Sequence, residues 1–175
     1  MANQMIGNQQ KITQLDAGRL DSEQFLSFSL VKEQQALLPT HQLIEIVRVS
    51  LSKITAIAGL DPYVMGIYNW RGDVIWAVDL ASLLGYTPLY AQESTQEKFQ
   101  DRYHIIFLRS QGNAIGLVVS NVGQMIRCDR AKIQTSSHAF TSPATKEACQ
   151  GYWLSASGET FLVLDGNAIA QVIQT

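Results

Sequence analysis

The sequence predicts a mainly β protein made of two small closed barrels of about five short strands each, held in one domain. Three observations lead there. Short strand-textured segments follow one another from about residue 24, separated by tight turns and not by long helices. Their order repeats once along the chain. Finally, about five strands per repeat are more than a flat sheet buries well on one face, whereas a small closed barrel removes its edges and fills its interior with side chains.

Composition narrows the class further. The 175 residues, 46% of them hydrophobic, can fill one sizeable core or two small ones. With 13 basic and 15 acidic side chains the net charge is −2 and the isoelectric point is near 5.9. That is far from the basic footprint a phosphate backbone demands, so nucleic acid is not an expected partner. The opening MANQMIGNQQ lacks the apolar centre of a signal peptide, and no run approaches the roughly 18 apolar residues of a membrane span. These features predict a cytoplasmic chain without direct membrane insertion. Cys128 and Cys149 are the only cysteines, too few for a disulfide framework or a structural zinc site, and read as isolated reduced thiols.

Residues 1–22 are polar, Gln-rich and aperiodic, and read as a flexible tail before a single domain over 23–175. QFLSFSLV then alternates in the manner of a half-buried strand, with QQALL as its hairpin return. Pro39 breaks the strand, and Thr40 could cap a single helical turn before the β-branched run IEIVRV. Asp61-Pro62 is a helix-start signal, so DPYVMG reads as one short helical turn. MGIYNW and DVIWAVD are rich in β-formers and meet at Arg71-Gly72, where glycine supplies the positive φ of a tight hairpin turn. Asp79 closes that strand, and LASLLG is a short helix stopped by Gly85. YTPLYAQESTQEKFQD reads as a polar surface loop or linker.

Strand texture resumes at YHIIFLRS, turns at Gln111-Gly112-Asn113, and continues through AIGLVVSNVGQMIRC. QTSSHAFTSPATKEA reads as a second loop. GYWLSAS, a turn at Gly158 and ETFLVLD follow, and a last helix from about Gly166 to Gln174 packs back on the domain. The repeat lies in this order: residues 36–48 align with 115–127 at an offset of 115 − 36 = 79, and Gly66, Gly72 and Asp79 align with Gly151, Gly158 and Asp165. The barrels are therefore expected to be the successive halves, about 23–86 and 102–175.

Catalytic chemistry finds little support. His41, His104 and His138 show no metal-binding spacing, and neither a phosphate-cradling glycine loop nor a Gly-x-Ser-x-Gly elbow is present, so no catalytic residue, cofactor or metal is expected. Asp79 and Asp165 could be paired as acid and base, but each ends a strand before a helix, where a carboxylate accepts unpaired backbone N–H groups. Recognition fares better. Arg71 stands at a hairpin tip with Trp70 beside it, and Arg and Trp dominate binding hot spots. Trp70 and Trp76 could equally be core or cross-strand pairs.

GIYNWRGDVIWAVDLASLLG, residues 66–85, resembles the signature of CheW-like domains, in which an Asn-Leu-Arg-Gly turn leads into an apolar strand, an Asp-Leu pair and a short helix. QFLSFSL, IEIVRV, AIGLVVSNVGQMI and GYWLSASGETFLVLD fall in the same order, so the resemblance covers about residues 23–174. Trp70 departs from the more usual leucine, and PTHQL (39–43) lacks an acidic residue the family often carries there. The resemblance implies two SH3-like five-stranded barrels with a hydrophobic junction. It also implies a non-catalytic adaptor that couples the cytoplasmic tips of methyl-accepting chemoreceptors to the regulatory domain of a CheA-type histidine kinase. Carried over by position, Arg71 is the partner-binding residue of the turn, Asn69 and Gly72 shape that turn, and Trp70 adds bulk beside the arginine. Leu43, Glu45 and Ile105 match positions associated with partner contact. The competing reading is a double barrel that binds a small apolar ligand in the inter-barrel groove.

Overall fold

A computed structural model describes residues 22–92, 103–110, 112–135, 140 and 142–174. Residues 1–21 of the expected tail, the polar stretch after residue 92, Gln111 and His138 lie outside the described residues, whereas Ser22, the last residue assigned to the tail, already belongs to a strand. Among the described residues ten strands carry the fold. In order they are β1 (Ser22–Val31), β2 (Gln34–Pro39), β3 (Leu43–Val49), β4 (Val64–Trp70), β5 (Asp73–Asp79), β6 (Tyr103–Ser110), β7 (Asn113–Val119), β8 (Asn121–Asp129), β9 (Cys149–Leu154) and β10 (Thr160–Leu164). Three short α-helices accompany them among the described residues: α1 (Leu80–Leu83), α2 (Pro143–Ala148) and α3 (Gly166–Gln174).

The strands form two five-stranded sheets with the orders β8-β1-β2-β10-β9 and β3-β6-β7-β5-β4, the two SH3-like barrels of a mainly β fold. Moving every strand five places along the chain turns one order into the other, so the duplication read from sequence is also a structural one. Even the parallel pairings correspond, Val163 lying opposite Leu37 as Ala77 lies opposite Gly116.

The barrels do not coincide with the sequential halves. One is continuous, from β3 to β7; the other combines β1 and β2 with β8, β9 and β10. The expected division at 86 and 102 therefore separates the repeats but not the barrels, because the third to fifth strands of each half join the first two strands of the other. Local chemistry favours the crossing. Pro39 ends β2, since a residue without an N–H cannot extend the ladder, and a 3-10 turn at Thr40–Gln42 carries the chain away. The Gln42 side chain then donates to Asp165 Oδ1 at 3.1 Å and accepts from the Gly166 N–H at 2.7 Å, fastening the crossover to the start of α3.

Two-residue alternation produces three cores. One parity fills the barrels: Phe25, Leu37, Phe161 and Val163 in one, Ile75, Ala77, Ile105, Phe107 and Val118 in the other. The opposite parity packs between them, with Leu26, Phe28, Leu38, Ile106, Leu108, Leu117 and Leu162 meeting Ile169 and Ala170 of α3. This accounts for the continuous apolar run in YHIIFLRS, whose two faces look into different cores. Each such side chain, fully buried, contributes about 1.5–3 kcal/mol. The region between the barrels, considered above as a ligand groove, is occupied by these packed side chains.

Each barrel closes through a single bridge beside a glycine. Thr55 exchanges two backbone hydrogen bonds with Ile67, at 2.8 and 2.9 Å, and Gln134 does the same with Tyr152 at 2.8 Å. Gly66 (φ 141°) and Gly151 (φ 150°) sit one residue before the bridged position, where a Cβ would run into the carbonyl oxygen of Thr55 or Gln134. Of the repeated glycines of the sequence, Gly66 and Gly151 are thus closure points.

Several local expectations change. Asp61-Pro62 begins a turn closed by the Val64 N–H donating to the Asp61 carbonyl at 2.9 Å, not a helix, because β4 starts directly behind it. Thr40 does not cap; Pro39 precedes the 3-10 turn, and the Thr40 hydroxyl donates to the Gln24 carbonyl. The first part of the supposed surface linker is anchored, with Leu89 buried and its N–H donating to Asp79 Oδ2 at 2.8 Å. The loop after Gln134 contains α2, begun by Ser142 accepting from the Thr145 N–H and by Pro143 at the first helical position. The stretch that holds this six-residue helix lengthens the repeat offset from 79 to 151 − 66 = 85, and one further residue between Gly151 and Gly158 brings it to 165 − 79 = 86.

Candidate functional site

The β4–β5 hairpin ends in Arg71-Gly72, flanked by the Trp70–Asp73 pair. Gly72 has the expected positive φ of 95°, but Arg71 is also left-handed at φ 55° and is the one non-glycine with positive φ among the described residues. Positive φ at both central positions defines a type I′ turn, whose twist matches that of the strands. The Asn69 side chain accepts from the Gly72 N–H at 3.1 Å and fixes the turn. For a side chain as large as arginine this conformation costs roughly 1–2 kcal/mol. Such strain persists where surrounding contacts or a function require it.

Glu45 of β3 supplies those contacts. Its Oε2 accepts the Trp70 indole N–H at 3.0 Å and pairs with Arg71 Nη2 at 2.8 Å. The guanidinium carbon also lies 5.4 Å from the Trp70 ring centroid, within cation–π range. Beneath the indole, the Phe107 ring stacks at 4.7 Å and 20°. Register explains the assembly: Glu45 is the β3 partner of Phe107 on β6, so an acid at the barrel mouth and an aromatic below it share one rung. Most of the Arg71 side chain is solvent-exposed, at 69%, whereas Glu45 is at 31%.

Of the residues expected to contact partners, Arg71, Asn69, Trp70, Gly72 and Glu45 come together here. Ile105 does not. It is fully buried inside the continuous barrel, where its side chain packs over Gly116. The alternation of β6 determines this, since Ile105 and Phe107 share the inward parity. Leu43, at the start of β3, is partly buried against the inter-barrel core. Phe107 was not anticipated; its spacing two residues beyond an inward isoleucine was the available signal. Trp76 is 45% exposed and lies opposite Ile67 on the hairpin.

The other titratable candidates among the described residues occupy structural positions. Glu23 lies between His41 at 2.8 Å and Arg130 at 3.4 Å. Burial, aided by nearby Arg48, lowers the pKa of His104. Burial pushes both thiols up to about 11, well away from reactive thiolates. Among the described residues no group of three His, Cys, Asp or Glu side chains could hold a metal ion, and no helix is long and apolar enough to cross a membrane.

Asp79 and Asp165 act as caps. Asp79 accepts from the Ser82 and Leu89 N–H groups at 3.0 and 2.8 Å. Asp165 accepts from Gln42, Gln150 and the Asn167 and Ala168 N–H groups. Their titrations diverge, because burial raises the Asp79 pKa against opposing backbone donors, whereas four hydrogen bonds outweigh the burial of Asp165 and lower its value. A carboxyl-carbon NMR titration is expected to show Asp79 inflecting above the ordinary aspartate range and Asp165 below it. The linked stability has opposite signs: that from Asp165 is lost as pH falls through its lowered pKa, and that from Asp79 as pH rises through its raised one. The reverse order of inflections would overturn the assignment.

Comparison with known proteins agrees with this architecture. The family model described as CheW-like domain matches residues 24–174. No curated protein matches the chain significantly. Among solved structures, the scaffolding protein TtCheW from Thermoanaerobacter tengcongensis aligns with a TM-score of 0.66 and 22% identity, covering 84% of this chain and 91% of that one.

Proposed function

This chain belongs to the CheW-like domain family, and on that premise we propose that it is a non-catalytic adaptor coupling chemoreceptors to a CheA-type histidine kinase. Arg71 carries the reading at residue level: an exposed arginine held in a strained left-handed turn, with its counter-ion on a different strand. Strain of this kind, at a site without catalytic groups, suits recognition better than packing. In this reading the chemoreceptor's cytoplasmic tip and the kinase's regulatory domain bind different faces of the double barrel, in the cytoplasm beneath a receptor array. Signal passes as a change in how the kinase is held, with no chemistry in this chain. Individual contacts need only ordinary interface strength, since arrays multiply them through effective concentration.

The test is a pull-down of the purified full chain with a kinase regulatory domain and, separately, with a receptor-tip fragment. Wild type is expected to bind both, while Arg71→Ala and Arg71→Glu stay folded and lose one partner by about tenfold or more, as hot-spot arginines do. Binding of neither by wild type would sink the adaptor reading. Retention of both by the folded Arg71→Glu variant would remove Arg71 from it.

A further inference from the structure

The residue that departs from the family's usual turn, Trp70, makes contacts a leucine could not. Its indole N–H donates to the same Glu45 oxygen that pairs with Arg71, the guanidinium lies over its ring, and the ring stacks on Phe107. Arg71, in contrast, is held among the described residues by an exposed ion pair and a cation–π contact, both weak at a solvent-facing position. The two donors on Glu45 are therefore unequal. One is built on a stacked aromatic; the other sits at a solvent-facing tip.

We propose that Trp70 is the positioning residue of this site, holding the Glu45 carboxylate through its indole N–H so that Arg71 can leave Glu45 for an acidic group on a partner protein. The inference rests on the reading of Arg71 as a partner contact. Without the indole donor, withdrawal of Arg71 would strip a partly buried carboxylate of its hydrogen-bonded partner, a costly step. With it, Glu45 keeps a donor in both states. The arginine is the exchangeable half of the pair, and the partner chemistry it fits is a carboxylate.

Two measurements on the full chain test this separately. The first needs no partner: the Trp70 indole N–H resonance, followed by 15N NMR and solvent exchange, is expected to stay protected in Arg71→Ala and to exchange several-fold faster in Glu45→Ala, which removes the acceptor. Equal behaviour in the two variants would overturn the positioning role. The second is a binding cycle with the receptor-tip and kinase fragments. Trp70→Phe, which keeps a ring over Phe107, is expected to weaken the Arg71-dependent complex several-fold in the wild-type background and to have little effect in Glu45→Ala. A purely structural Trp70 would weaken binding equally in both backgrounds, overturning the exchange. If wild type binds neither fragment, the adaptor reading fails and the exchange with it, while the indole resonance still reports whether Trp70 holds Glu45.

Discussion

Alanine at Gly66 or at Gly151 is expected to destabilise the protein by about 3 kcal/mol, the sum of overpacking and of a backbone conformation that an L-residue resists. Both glycines have strongly positive φ, and in both a Cβ would meet a backbone carbonyl, which cannot yield as a flexible side chain would. The colliding carbonyl belongs in each case to the residue whose two hydrogen bonds close the barrel. Relief of the clash would therefore open the closure. Gly72 and Gly158 supply the control, since they too have positive φ but a Cβ there meets nothing within 4 Å. Alanine at these two should cost only about 1 kcal/mol, the conformational part alone. Urea melts of the four variants decide it; equal losses at all four positions would show that closure contributes nothing.

The larger effect is expected from cutting the chain between its repeats. Fragments 1–95 and 96–175 are each predicted to lack cooperative unfolding, and an equimolar mixture is predicted to recover it along with the near-ultraviolet signal of the tryptophans. Eight strand pairings hold the two sheets, and four of them, β1–β8, β2–β10, β3–β6 and β5–β7, join strands of different halves. Separated, each half retains two hairpins and a lone strand. Isolated hairpins are at best marginally stable in water. The inter-barrel core is lost as well, because Leu26 and Leu38 come from one half and Ile106 and Leu108 from the other. Independent folding of either fragment would contradict the exchanged arrangement of strands.

These two expectations separate the kinds of information the chain carries. Strand positions, the Arg71-Gly72 hairpin, the capping aspartates and the duplication were legible in the sequence, because each depends on interactions between residues a few positions apart. Alternation places side chains on faces, Gly72 admits a tight turn, and Asp79 reaches the N–H groups just after it. The short helix α2 escaped notice because its start signal, Ser142-Pro143, is embedded in a polar stretch that otherwise resembles a loop. At the candidate site, the turn residues could be selected from their types and order. Their joining to Glu45 over Phe107 required the β3–β6 register, which relates residues about sixty positions apart.

Which face a strand offers is written locally; which core receives that face is not. Ile105 and Ile106 are equally apolar neighbours, yet one fills a barrel and the other the junction. By itself, then, the sequence determined the strands, the turns, the repeat and the arginine at the hairpin tip. Tertiary structure decided how the duplicated halves exchange strands, that Ile105 is core, and that Trp70, Glu45 and Arg71 form one cluster. Two similar repeats present similar edges, so local pattern cannot choose between pairing within a half and pairing across halves. Long-range packing makes that choice, through the crossover at Pro39–Gln42 and the shared core it allows between the barrels.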